Sequence, residues 1–306
     1  MRGIDVVVMI FLLVFAGMGI YIIWLNLPTG SIEYGSPDSD LIYNITSKTN
    51  LQFYNNLRYK DKEIEYKFDK LCDDKKQQDV LRAFSILSNR TDLIFKSFLN
   101  ESELLIYCSE IAPEPDQEDH FIAGEGGPTE IINASRYYVI KSGKISLFRD
   151  DKCSKPNIAL HEILHALGFD HLPNKESIMY PVTDCRQQID NEIIREINRL
   201  YSEKSYPDIV VLEASANRTG RYLSFSLTVA NYGLEDANDV NLSVYADDKL
   251  VKSFDLDEIP IGRKKIFTVN NLKVQKSLSS LEFGAYQDPF NDLNEKDNDI
   301  NLIFPN

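Results

Sequence analysis

The chain has 306 residues, a formal net charge of −14 and four cysteines. This length allows two modest domains. The acidic balance argues against a nucleic-acid partner, because phosphate binding requires clustered Lys and Arg side chains.

The first predicted element is an apolar helix. Val6–Leu25 contains no charged residue and is long enough to cross a bilayer. Arg2 precedes it, whereas Glu33 and Asp38 follow it, and this bias puts the N-terminus in the cytoplasm and the rest of the chain outside. We therefore expect residues 1–27 to be a single-pass anchor in the cell membrane. A cleaved signal peptide, which would release a secreted protein, is the alternative.

After the apolar segment the composition becomes that of a linker and then of a folded domain. Residues 28–49 are rich in Pro, Gly, Ser, Asn and Asp, which indicates a stalk. From residue 50 the apolar periodicity predicts one helix and three strands. The helix covers Lys75–Ser88, and the strands cover Thr91–Phe98, Glu103–Cys108 and Lys144–Leu147.

Three of the four histidines lie within eleven residues, in the pattern HExxHxxGxxH. A helix over Ile158–Leu167 puts His161 and His165 on one face, where two imidazoles can share one Zn²⁺. Gly168 can adopt a positive φ and end the helix, so that the chain turns and brings His171 to the same ion. A catalytic zinc has three protein ligands and an open position for water, which this set allows.

Glu162 lies beside the first of these histidines and is predicted to be the general base. It can take a proton from the water that attacks a carbonyl and pass it to the leaving amine. This chemistry is peptide-bond hydrolysis without a covalent intermediate. A structural zinc site would usually have four ligands, often cysteines, and no cysteine lies within the cluster. His120, the fourth histidine, is interpreted as a surface or loop residue.

The sequence HEILHALGFDH, followed by SIMYP at Ser177–Pro181, resembles the metzincin metallopeptidases and most closely their matrixin branch. The resemblance implies an α+β catalytic domain over residues 50–204 that hydrolyses protein or peptide substrates. The three histidines would be its zinc ligands and the glutamate its base, as above. Met179 would pack in the turn beneath the metal. Tyr180 adjoins this methionine, as in matrixins, and is not assigned as a ligand.

Two flanking segments add to this interpretation, the first through the resemblance and the second through its own residue pattern. Phe121–Pro128 stands where matrixins have the edge strand of their sheet, which can bind an extended peptide by strand addition. A glycine-rich turn is the alternative interpretation. Asp190–Tyr201 is predicted to be a helix with Asp190 as its N-cap. Its inward-facing residues are Ile193, Ile194, Ile197 and Leu200.

Two features fit an extracellular location. The four cysteines lack metal-ligand spacing and are interpreted as disulfides, for which the sequence allows three pairings. We predict the nested pairs Cys72–Cys108 and Cys153–Cys185, the second of which would clamp the active-site segment. Six N-x-S/T triplets indicate N-glycosylation. They begin at Asn44, Asn89, Asn100, Asn133, Asn217 and Asn241.

The pattern over residues 207–306 changes to short alternating strands, which predicts an all-β immunoglobulin-like sandwich. Ala230–Gly233 and the Asn-rich acidic stretch Asn291–Asn298 resemble those of CARDB domains, adhesion-related modules of prokaryotic surface proteins. This resemblance implies a surface or cell-wall ligand. The acidic turn could bind Ca²⁺, and a solvated loop is the alternative. The seven predicted strands are Ile209–Leu212, Tyr222–Val229, Val240–Tyr245, Leu250–Phe254, Ile266–Val269, Leu281–Tyr286 and Ile300–Phe304.

Two classes of function are compatible with these observations. The first is a membrane-anchored zinc endopeptidase whose sandwich domain positions it or binds partners. The second is a surface adhesion protein with an inactive or incidental peptidase fold. A zinc hydrolase that acts on a non-peptide amide also stays open, because the metal chemistry would be the same. The intact Glu162 favours the first, because inactive relatives of enzymes commonly lack the base or a ligand.

Overall fold

The computed structural model describes residues 9, 11–15, 17–19, 21–22, 29–35, 51–98, 102–114, 122–287 and 289–304. The described positions between 9 and 22 are helical, and large apolar side chains such as Phe11 and Phe15 are exposed there. No helix within the described ranges is both long and apolar enough to cross a membrane. Much of the predicted anchor and stalk lies outside the described residues. His120, Asn44 and Asn100 also lie outside them.

The chain folds into two compact units. One contains residues 37–207 and 232–236, and the other contains residues 1–36, 208–231 and 237–306. The second unit includes a short N-terminal strand, β1 (Thr29–Gly35), within the segment that was predicted to be a stalk.

The first unit is built on a six-stranded sheet. Strands β2 and β5 pair in parallel with successive stretches of β7, residues 138–140 and 143–147, and β3 and β4 continue the parallel order after β5. Strand β6 pairs antiparallel with β7 along residues 137–147. No other described strand pairs with β6, which is therefore an edge of the sheet. The strands are β2 (Leu57–Tyr59), β3 (Glu63–Phe68), β4 (Ile94–Ser97), β5 (Leu104–Cys108), β6 (Gly124–Ala134) and β7 (Tyr137–Leu147).

Three helices cover this sheet and complete its apolar core. They are α1 (Asp74–Ser88), α2 (Asn157–Ala166) and α3 (Asn191–Tyr201). Asp73 is the N-cap of helix α1, and its side chain accepts hydrogen bonds from the amides of Lys75 and Lys76. The predicted inner face of α3 is confirmed, with Ile193, Ile197 and Leu200 buried and Ile194 partly buried.

A buried arginine donates hydrogen bonds to carbonyl groups at the C-terminal end of α3. Arg58 is 1% exposed, and its guanidinium donates to the carbonyl oxygens of Leu200 and Glu203. It also donates to the carbonyls of Tyr59 and Lys60, both at 2.9 Å. Carbonyls at a helix C-terminus have no partner within the helix, so a buried cation can satisfy several of them at once.

Both predicted disulfides are confirmed. Cys72–Cys108 joins the segment before α1 to the end of β5. Cys153–Cys185 joins the loop that precedes α2 to the loop that precedes α3. The second bond therefore links two irregular segments on either side of the helix that carries the histidine motif.

The second unit is a sandwich of two antiparallel four-stranded sheets, as predicted. Their orders are β1-β12-β9-β8 and β11-β10-β13-β14. All seven predicted strands are present, and β1 adds an eighth by pairing antiparallel with β12. Phe225 and Phe283, with ring centroids 4.8 Å apart, lie in its core. The strands are β8 (Ile209–Thr219), β9 (Tyr222–Asn231), β10 (Val240–Ala246), β11 (Lys249–Asp255), β12 (Lys264–Lys273), β13 (Ser280–Gln287) and β14 (Asp299–Ile303).

Candidate active site

The histidine motif is positioned by α2 and by the turn that ends it. His161 and His165 lie one helical turn apart and are both buried. After the helix, Gly168 adopts a φ of +93° and donates to the carbonyl of His165, while Phe169 donates to that of Leu164. These two bonds form a Schellman C-cap, which requires a left-handed residue at the position of Gly168. A side chain there is also excluded sterically, since a Cβ would lie 2.6 Å from a methyl carbon of Leu57.

The turn brings the third histidine back to the first two. The Nε2 atoms of His161 and His165 are 3.0 Å apart, and those of His165 and His171 are 3.1 Å apart. The remaining pair, His161 and His171, is separated by 3.2 Å. Nitrogens bound to one zinc at about 2.0–2.1 Å with tetrahedral angles are about 3.3 Å apart. The three imidazoles therefore fit a single zinc ion.

Backbone carbonyls fix the rings of the two buried histidines. His161 Nδ1 lies 2.6 Å from the Ile178 carbonyl oxygen, and His165 Nδ1 lies 2.7 Å from that of Phe169. A proton on each Nδ1 satisfies these contacts and leaves the Nε2 lone pairs directed towards the shared centre. Burial lowers the pKa of His161 to about 4 and also lowers the pKa values of His165 and His171. The rings are thus held neutral, as metal ligands must be.

The turn that contains Met179 lies next to this centre. Met179 is fully buried, and its carbonyl accepts a hydrogen bond from the amide of Leu172, just after the third histidine. Its own amide donates to Ser177 Oγ, and that hydroxyl donates to Asp190. Asp190 thus stands at the predicted N-cap position of α3, but its side chain bonds to this turn and not to the helix amides. The turn also supplies the carbonyl of Ile178 that orients His161.

Glu162 belongs to α2, and its side chain is buried against the edge strand β6. An added Cβ at Gly124 would lie 2.7 Å from the Glu162 side chain, and one at Gly126 would collide with the Glu162 carbonyl group. Two glycines therefore allow the strand to cross the helix at the candidate base. Burial, reinforced by the negative charge of Glu125, raises the pKa of Glu162 to about 8.

The structure decides between the two interpretations of the segment Phe121–Pro128. From Gly124 onward it is the edge strand and not a turn, and it pairs with β7 as far as Ala134. The alternating glycines at 124 and 126, which the sequence interpretation left out of the site, are therefore part of it. A glycine inside a strand often marks the close approach of another backbone, and this was the available sequence indication.

Phe53 contacts the site although nothing in the sequence indicated it. Its ring stacks on His165 with centroids 5.8 Å apart, and it is 40% exposed. The Phe53 amide donates to the Gly168 carbonyl, and Gln52 forms a bridge with Phe169, so the backbone holds this aromatic ring beside the ligand.

The described residues contain one cluster of histidines that could hold a metal ion, and it lies on the helix and turn expected of a metallopeptidase. Comparison of the sequence with family models agrees with this class of protein. Residues 52–202 match the matrixin model, and residues 206–302 match the CARDB model. The chain carries a matrixin-like metzincin domain followed by a CARDB domain.

Individual relatives match parts of the chain. Human matrix metalloproteinase-26 is 31% identical over 140 residues, which is 44% of this chain and 54% of that protein. The chain thus spans about half the length of this curated relative. The solved CARDB domain of the PF1109 protein from Pyrococcus furiosus, in complex with di-metal ions, is 19% identical over 32% of this chain and 85% of its own, with a TM-score of 0.28. High choriolytic enzyme 1, a hatching enzyme zinc-protease from medaka fish, is 16% identical over 46% of this chain and 89% of its own, with a TM-score of 0.31.

Proposed function

We propose that this chain is a zinc-dependent endopeptidase in which His161, His165 and His171 hold one zinc ion and Glu162 is the general base. The observation that carries the proposal is the triangle of Nε2 atoms, 3.0–3.2 Å on each side, next to a buried carboxylate. The matrixin match over residues 52–202 supports the same reaction.

The residues of this site have complementary roles in hydrolysis. The three imidazoles would hold a zinc ion, which would supply a Lewis acid that polarises the scissile carbonyl and increases the acidity of water. Glu162, whose pKa is raised by burial, would be favoured in its carboxylate form by the positive charge of such an ion. Glu162 then accepts the proton of the attacking water and delivers it to the nitrogen of the departing amine.

The edge strand β6 gives the substrate a place to bind. Its backbone groups on the side away from β7 have no strand partner among the described residues. An extended peptide can pair with such an edge by strand addition. Because Gly124 and Gly126 put this strand directly against Glu162, a peptide bound there would run past the candidate base.

The assignment of the base is tested with Glu162→Gln in the purified full-length chain. The amide keeps the size of the side chain between the two glycines but cannot accept the proton, so hydrolysis of a denatured protein should fall by about 10²–10⁴-fold. Zinc content, measured by elemental analysis, should remain near that of the unaltered chain. Glu192→Gln, at an exposed position of α3, is the matched control and should retain activity. Equal cleavage by both variants would refute the assigned base.

We also propose that the protein is anchored in the cell membrane by residues 1–27, with both domains outside. The support is the uncharged segment Val6–Leu25 and the charge bias of its flanks. Carbonate-washed membranes should retain the full-length chain, and protease added to intact cells should digest both domains. Recovery of a shortened chain from the medium would instead support signal cleavage and secretion.

The alternative is a surface adhesion protein in which the peptidase fold does not act. The CARDB match over residues 206–302 favours a binding role for the C-terminal domain, with a surface or cell-wall ligand. A chain that binds zinc stoichiometrically but cleaves no member of a broad peptide library would support this alternative over the endopeptidase.

A further inference from the structure

Three carboxylates converge in the sandwich unit, far along the chain from the histidine site. Single side-chain oxygens of Asp208, Asp292 and Asp297 all lie within 4.8 Å of one another. Asp208 immediately precedes β8 and is 5% exposed, whereas the other two are partly buried in the turn between β13 and β14. Like charges at this separation repel each other, and a shared cation would offset that repulsion.

The turn is docked onto the start of β8 by hydrogen bonds. Asp292 Oδ2 accepts a hydrogen bond from the amide of Ile209 at 2.9 Å, and Asp292 Oδ1 accepts one from the amide of Asn294 at 2.8 Å. The amide of Val211 donates to the carbonyl of Asp297 at 2.9 Å. Asp292 has only neutral donors around it, and it forms no ion pair with any side chain that the structure describes.

A second observation points to a ligand at the same place. Asn298 has no exposed surface, and its Nδ2 donates to Asp292 Oδ2 at 3.1 Å and to the Ala285 carbonyl at 3.2 Å. Its Oδ1 is buried and accepts no hydrogen bond. Rotating the amide by 180° supplies no donor, because the oxygen would then face those same two acceptors. A buried oxygen without a donor is costly, and a hard cation would satisfy it.

We propose that Asp208, Asp292 and Asp297 bind one Ca²⁺ ion, with Asn298 Oδ1 as a further ligand. The donor set consists only of oxygens, which hard divalent cations prefer over transition metals. Oxygens bound to one Ca²⁺ at about 2.3–2.6 Å can be as much as about 5 Å apart, which accommodates the observed separation. The ion would fasten the β13–β14 turn to the residue that precedes β8, independently of any peptidase activity.

The test compares calcium binding by the full-length chain with that of Asp292→Asn, Asp297→Asn and the control Glu295→Gln. Glu295 is an exposed acid of the same turn and lies outside the cluster. In equilibrium dialysis with Ca²⁺, each aspartate variant should lose one bound ion per chain whose dissociation constant is on the order of 10⁻⁴–10⁻³ M. The control should bind as the unaltered chain does, which also corrects for any calcium bound elsewhere. Unchanged stoichiometry in both aspartate variants would overturn the proposal.

Hydrogen exchange on the unaltered chain provides a measurement that does not depend on the folding of a variant. About 10 mM Ca²⁺ should slow exchange at the amides of Ile209 and Val211 and in the turn 289–298, and raise the melting temperature of the sandwich by roughly 5 °C. Absence of added protection in these segments would contradict the site. Equal protection by Mg²⁺ at the same concentration would overturn the assignment to calcium.

Discussion

The two units of this chain stabilise their irregular backbone by different means. In the matrixin-like unit, residues 167–190 contain no named helix or strand, and the segment is cross-linked by Cys153–Cys185. The sandwich contains no cysteine, and the connections β8–β9 and β10–β11 are two-residue turns. The connection between β13 and β14 is the longest from β8 onward, and the three carboxylates converge at it. We infer that the longest connections of both units need an added constraint. It is a disulfide bond in the matrixin-like unit and a bound ion in the sandwich.

The largest expected effect separates the stabilities of the two units. Phe283 is fully buried against Phe225 in the sandwich, so Phe283→Ala should destabilise that unit by about 3–5 kcal/mol. Calorimetry should show the sandwich transition at a lower temperature, while the transition of the other unit stays in place. Leu250→Ala, at a side chain that is 57% exposed, is the control and should change little. A parallel fall of both transitions would mean that the units do not unfold separately.

The next effect tests the covalent constraint. The double variant Cys153→Ser/Cys185→Ser removes a bond that spans 32 residues, and the matrixin-like unit should lose about 3–4 kcal/mol in denaturant unfolding. The pair Cys72→Ser/Cys108→Ser is the comparison, since that bond spans 36 residues but lies away from the loop before α3. Both should lower stability, whereas only the first should also weaken peptide hydrolysis. If a reducing agent lowered the sandwich transition as well, the contrast between the units would fail.

The smallest effect concerns a single hydroxyl in the Met179 turn. Ser177→Ala removes the acceptor of the Met179 amide and the donor to Asp190, both in a buried place, at a cost of about 1–3 kcal/mol. Because the same turn orients His161 through Ile178, zinc affinity should fall by about tenfold in competition with a chelator. Ser215→Ala on the exposed face of β8 should leave both stability and zinc affinity unchanged. Unaltered zinc affinity in Ser177→Ala would show that the turn does not hold the ring.

Much of the fold and site could be predicted because the determining residues are close in sequence. His161 and His165 share a helical face, Gly168 ends the helix, and alternating apolar residues mark the sandwich strands. The nested disulfide prediction also held. The helices differed from expectation by only one residue at their ends, as for α2, which covers Asn157–Ala166 and not Ile158–Leu167.

The features that were missed depend on contacts between distant segments. Strands β2 and β3 are short and partly polar, and parallel pairing with β7 and β5 stabilises them, so local pattern did not indicate them. Phe53 reaches His165 only because the backbone of residues 52–53 pairs with that of 168–169. The contribution of Asp208 to the acidic cluster required knowing that a turn more than eighty residues later folds back onto it.

The crossing of β6 over α2 also indicates which positions of this strand can be substituted. Neighbouring residues of a strand point to opposite sides, so Gly124 and Gly126 face the helix while Glu125 and Gly127 do not. A methyl group at position 127 would meet no atom within 4 Å, in contrast to the collisions at the other two glycines. A new side chain can therefore be introduced at 127 without disturbing the backbone that shelters Glu162, whereas replacing Glu125 would also remove a charge that raises the pKa of Glu162.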